Sequence, residues 1–235
     1  VCSDSDVAET LASDLRFFLN YFGNTITSVL AFPGWERSIY SPIAPSIRTR
    51  LNRLSTLSEL TYPQAGKTAL IVTTPQGLTQ VTIPKKIFDD HCCYLVREES
   101  VGTRETFLAK LQNAGYLKVD PVEDPGTYTS RGDIIDVFPP GARRPYRIEL
   151  FGDDVELIRE FDANTQRTFS ESLPELILPP CREVLINAET YPNLRAALKK
   201  YSDEKDIPRS LRDPVLESFR EGLYPDHSEG WLPFA

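Results

Sequence analysis

Val7, Leu11, Leu15, Phe18 and Phe22 recur at helical spacing behind Asp4 and Asp6, so the chain opens on a helix. Glu9, three residues beyond Asp6, favours that helix start. Thr27 to Phe32 forms a short apolar strand, and Ile47, Leu51, Leu54 and Leu57 place a second helix between Pro45 and Leu60. Ala69 to Val72 make another apolar strand, after which Thr74-Pro75 supplies an N-cap followed by proline at the first helical position. The opening Val1-Cys2 reads like the tail of a strand. Strands alternating with helices of this length predict an α/β fold, with a parallel sheet in an incomplete doubly wound layer.

The pattern changes near Cys93. Tyr94 to Arg97 is a strand leading to a helix from Thr103 to Ala114 that stops at Gly115. Strand-like stretches follow at Tyr128 to Phe138, Tyr146 to Phe151 and Val155 to Phe161, separated by the turn signals Pro139-Pro140-Gly141 and Gly152-Asp153-Asp154. Beyond Leu178-Pro179-Pro180 helical spacing returns, with Leu194, Leu198 and Tyr201 on one face and Val215, Phe219 and Leu223 on another. The expected organisation is an α/β domain over 1–92, an inserted α+β domain over 93–178, and over 179–235 a return to the first domain and a mostly helical segment.

Composition narrows the function classes. The 235 residues carry a formal charge of −8, of which residues 93–178, with 10 basic and 16 acidic side chains, hold most. That balance argues against a general polyanion binder, whose affinity comes from lysine and arginine on phosphates. No apolar run approaches the length of a membrane span, and no leader marks the chain for export. Four cysteines (Cys2, Cys92, Cys93, Cys181) read as buried thiols in a reducing compartment, so a cytoplasmic location is expected. Methionine is absent even at position 1, so the chain is expected to be part of something longer.

Four apparent motifs carry little. Gly66-Lys67-Thr68 lacks the first glycine of a phosphate loop, since position 61 is Thr61, and it precedes a strand; a turn explains it. Arg131-Gly132-Asp133 matches an adhesion tripeptide by three letters only. His91-Cys92-Cys93 lacks zinc-site spacing and reads as a buried strand start. Arg48, Arg50 and Arg53 read as a solvated helix face. No catalytic constellation emerges: only His91 and His227 are present, and acid-base work by carboxylates is left open because proximity is not visible in sequence.

Tyr146 to Phe151 is the informative segment. Period two puts Tyr146, Ile148 and Leu150 on one face, expected to be the core, and Arg147, Glu149 and Phe151 on the other. A large aromatic ring beside a guanidinium on a polar face has the composition of an interface hot spot. The alternative is a sheet covered on both sides, or a Phe151 that tucks inward at the turn.

Tyr128-Thr129-Ser130-Arg131-Gly132-Asp133-Ile134-Ile135-Asp136-Val137-Phe138-Pro139-Pro140-Gly141, then Pro145 to Phe151, Phe161-Asp162 and Thr165-Gln166-Arg167-Thr168 resemble the module shared by UvrB and the bacterial transcription-repair coupling factors. Phe32-Pro33, Trp35-Glu36, Arg50-Leu51, Arg53 to Leu57, Leu178-Pro179-Pro180 and Gly230-Trp231-Leu232-Pro233 favour the coupling factors, and the connection from Trp35 to the Arg50 helix is too short for the DNA-gripping hairpin of UvrB. The resemblance implies a degenerate RecA/helicase-like ATPase domain with an inserted domain that binds UvrA through Arg131, Arg147 and Phe151. It implies no catalytic residue and no cofactor in this segment. RNA polymerase and DNA would be engaged by other domains, which carry an ATP-dependent translocase, and the resting protein would mask the UvrA surface against its C-terminal region. The alternative is part of a UvrB-type ATPase that verifies DNA damage; an internal regulatory domain is a third reading.

Overall fold

The computed structural model describes residues 1–35, 46–186 and 190–221. The first layer comprises α1 (Ser5–Tyr21), β1 (Thr27–Phe32), α2 (Ile47–Thr61) and β2 (Thr68–Thr73), followed by the short helices α3 (Pro75–Thr79) and α4 (Lys85–Asp90). β1 and β2 pair in parallel from Thr27 opposite Thr68 to Phe32 opposite Thr73, as a helical crossover requires. The Cys2 amide donates to the Thr73 carbonyl at 2.8 Å, which sets the first residues beside the end of β2.

Asp4, rather than Asp6, caps α1: its carboxylate accepts from the Val7 amide at 2.9 Å. Of the stripe Val7, Leu11, Leu15, Phe18 and Phe22, only Leu15 joins the core, where Ala8, Ala12 and Leu19 also meet Val29 and Val72. The other four are exposed. Small alanines let the helix approach the sheet closely, and that contact overrides the wider aromatic stripe.

The arginines of α2 do not form the expected solvated face. Arg48 is exposed, but Arg53 is fully buried. Its Nε and Nη2 donate to the two carboxylate oxygens of Glu183 at 2.5 and 3.1 Å, and its Nη1 donates to the Pro33 carbonyl at 2.9 Å. The guanidinium also lies over the rings of Phe32 and Trp35, 4.3 and 4.9 Å from their centroids.

The second part contains β3 (Cys93–Val96), α5 (Arg104–Asn113), β4 (Leu117–Lys118), β5 (Thr127–Arg131), β6 (Ile134–Phe138), β7 (Tyr146–Phe151), β8 (Asp154–Phe161), β9 (Thr168–Ser172) and β10 (Glu175–Leu178). β4 to β9 form a six-stranded sheet in chain order, parallel at β4–β5 and antiparallel elsewhere, while β3 and β10 pair antiparallel as a separate ribbon. The stretch Tyr128 to Phe138 is therefore two strands, broken by a turn at Gly132-Asp133. Phe107 and Leu111 of α5 pack on Tyr128, Ile135, Val137, Ile148, Leu150 and Ile158 to form the main core.

After β10, Val184 and Leu185 rejoin Leu54, Ile83 and Phe88, returning the chain to the first layer. α6 (Tyr191–Glu204) and α7 (Arg209–Arg220) then pack through Leu194, Leu198, Leu216 and Phe219. Pro45, Glu36, Leu223, His227 and Gly230 to Pro233 lie outside the described residues.

The β6–β7 connection touches α2 at Gly141, whose φ of 79° suits glycine; an added Cβ would fall 2.6 Å from the Ser55 Cβ. Gly141→Ala is expected to destabilise the chain by about 2–4 kcal/mol, the sum of a left-handed alanine and an overpacked contact. A urea-unfolding midpoint equal to that of the unchanged chain would show that the two parts separate freely here.

Candidate functional site

β7 presents the alternation expected of it. Ile148 and Leu150 are buried in the core with Tyr146 against its edge, while Arg147, Glu149 and Phe151 fall on the opposite face. Register brings further side chains to that face: Asp136 lies opposite Arg147, and Ile134 lies opposite both Arg131 and Glu149.

Arg131 ends β5 and Phe151 ends β7, each directly before a two-residue Gly-Asp turn. Gly132 has φ 59° and Gly152 φ 64°, the left-handed first position that tight hairpins favour. Because Ile134 pairs with residues of both strands, the two turns share one rim of the sheet, and the Leu150 amide ties them together by donating to the Asp133 carbonyl at 2.9 Å.

Phe151 is 77% exposed, so its ring stands in solvent. The Arg131 side chain is 62% exposed and forms an ion pair with Asp120, itself on the surface. Arg147 differs from the outward-facing guanidinium expected of it. Its side chain is only 20% exposed, Nε and Nη2 each donate to an oxygen of the buried Asp136 at 2.7 Å, and the head lies 4.9 Å from the centroid of the Phe161 ring. Hydrogen bonding to Asp136 raises its pKa above the usual arginine value, with burial opposing that shift. Beside it, Arg159 pairs with Glu149. Arg131, Arg147 and Phe151 thus share a face, with Arg131 and Phe151 presented at the rim and Arg147 held within the sheet.

The rim is braced from behind. Arg104, the first residue of α5, donates from Nε to the Gly132 carbonyl at 2.7 Å and from Nη2 to the Ser130 hydroxyl at 3.0 Å. The Val101 amide and the Ser100 hydroxyl donate to the Asp153 carbonyl at 2.9 and 3.2 Å. Sequence reading missed Arg104, Asp120 and Asp136. The only local signal was the Thr103 cap, which places Arg104 at a helix start but says nothing of a hairpin 28 positions on.

Among the described residues no cluster of three or more His, Cys, Asp or Glu is arranged to hold a metal. The His91 ring is engaged with the Ile87 carbonyl at 2.9 Å, and burial pushes the Cys93 thiol up to about 11, which keeps it protonated and unreactive at neutral pH.

Residues 95–183 match the family model of the UvrB interaction domain. This segment belongs to that family. Over nearly its whole length the chain also resembles proteins named transcription-repair-coupling factor. It is 34% identical over 237 residues to that of Myxococcus xanthus, covering 99% of this chain and 19% of the relative. The corresponding figures are 29% over 230 residues, 97% and 19% for Escherichia coli K12, and 28% over 232 residues, 96% and 18% for Mycobacterium bovis. The chain therefore spans about a fifth of the length of these curated relatives. The UvrB interaction domain, from Leu95 in β3 to Glu183 just past β10, contains the six-stranded sheet with Arg131, Arg147 and Phe151. None of the described helices is long and apolar enough to cross a membrane.

Proposed function

We propose that this chain is a non-catalytic docking module through which a transcription-repair-coupling factor recruits UvrA in nucleotide excision repair. The observation that carries this reading is the solvent-exposed ring of Phe151 on the same sheet rim as Arg131. An exposed phenyl ring beside an exposed guanidinium offers a partner both apolar area and a charged hydrogen-bond donor, the pairing that dominates interface hot spots. The charged groups behind the rim are engaged with one another, Arg147 with Asp136 and Arg159 with Glu149, which fits a rigid platform better than acid-base chemistry.

On this reading residues 1–92 are a degenerate RecA-like domain, 93–178 the inserted UvrA-binding domain, and 179–235 the return to the first domain with its helical extension. RNA polymerase engagement and ATP-driven DNA translocation belong to the rest of a longer cytoplasmic protein, where the same rim is masked intramolecularly until needed. No cofactor is assigned to this segment.

The test is titration of the chain and its variants against UvrA. Phe151→Ala and Arg131→Ala are each expected to weaken binding about tenfold or more, as truncation of a hot-spot residue does, with an unchanged melting temperature. Undiminished binding by the double variant would sink the assignment.

A further inference from the structure

We propose that Arg104 is a positioning residue for this docking rim: it fixes the backbone around Arg131 without itself being part of the contact. The inference rests on the docking reading above. The two hydrogen bonds from Arg104 end on Ser130 and Gly132, the residues immediately before and after Arg131, while the Arg131 head is left to pair with Asp120. Little else restrains that tip by packing. Nothing lies within 4 Å of where a Cβ on Gly132 would be, and Ser130 is only partly covered.

The opposite tip is held by the same short stretch of chain. Ser100 and Val101 grip the Asp153 carbonyl at the β7–β8 turn, and three residues later Arg104 grips the β5–β6 turn. The segment 100–104 therefore spans both hairpin ends and sets Arg131 relative to Phe151. The Thr103 hydroxyl caps α5 by accepting from the Thr106 amide at 3.3 Å, and this anchors the segment to a helix packed on the core through Phe107 and Leu111. Bonds from a charged donor to neutral oxygens are stronger than neutral ones, and the planar fork of arginine suits two acceptors flanking one residue.

A double-mutant cycle against UvrA tests this. Arg104→Ala is expected to weaken binding about fivefold in the unchanged chain but less than twofold in the Arg131→Ala background, because a residue acting through Arg131 loses its effect when Arg131 is gone. Arg104→Lys, which can replace one of the two bonds, is expected to restore part of the affinity. Hydrogen exchange is expected to quicken in residues 130–134 of the Arg104→Ala variant, with the global melting temperature held. Equal losses in both backgrounds, or no loss in either, would overturn the positioning role. If Arg131→Ala itself leaves UvrA binding intact, the docking assignment fails; if Arg131→Ala weakens binding and Arg104→Ala does not, only the positioning inference fails.

Discussion

Replacing Glu183 by alanine is expected to lower the unfolding free energy by about 3–5 kcal/mol, because it strands the Arg53 guanidinium where no water reaches it. Both side chains are 0% exposed. The remaining neighbours of Arg53, the Pro33 carbonyl and the faces of Phe32 and Trp35, solvate a cation only in part. Such a loss is a large share of the roughly 5–15 kcal/mol that holds a typical domain together. Replacing both partners with apolar residues of similar size, Arg53→Met with Glu183→Leu, is expected to recover most of the stability, since a buried pair offsets little more than its own desolvation. Urea unfolding of the single and double variants measures both. A Glu183→Ala loss below 1 kcal/mol would mean that water or a neighbouring polar group takes over the charge.

Arg147→Ala is expected to behave differently from Phe151→Ala even though the two side chains share a face of β7. Removing the guanidinium leaves the Asp136 carboxylate, whose side chain is 5% exposed, without its two bonds. A loss of about 2–4 kcal/mol follows from stranding a hydrogen-bonded buried charge. Phe151 stands in solvent, and its truncation is expected to change stability by no more than about 0.5 kcal/mol. Thermal melts run beside the UvrA titrations separate these effects: weak binding by Arg147→Ala must be read together with a lowered melting temperature, weak binding by Phe151→Ala on its own. Melting of Arg147→Ala at the unchanged temperature would show that its ion pair is expendable.

The elements legible in the sequence are those whose signal is local. The bounds expected for Thr27 to Phe32, an apolar run, and for Tyr146 to Phe151, an alternation, agree with β1 and β7 to the residue, because each signal is complete within six positions. Face assignment along β7 followed from the same alternation, and so did the exposure of Phe151. Features that depend on a distant partner were not legible. Arg53 looks like any helix-surface arginine until Glu183 arrives from 130 positions away, and Arg147 looks free until Asp136 is placed opposite it by the β6–β7 register. Tyr128 to Phe138 reads as one strand-like stretch because apolar and β-branched residues flank Gly132-Asp133 on both sides, although that dipeptide is also a hairpin signal. On α1 the bulky residues outvoted Ala8 and Ala12 in the pattern, while in the fold the alanines set which side meets the sheet.

The two Gly-Asp turns also act as a ruler. Arg131 and Phe151 occupy strands separated by one intervening strand, a pitch of roughly 10 Å fixed by backbone hydrogen bonding. Substitution of the side chain at either pin leaves that spacing as it is, and the gap between the pins cannot change without rebuilding β6. Any protein that plugs into this rim must therefore keep its own sockets at that pitch.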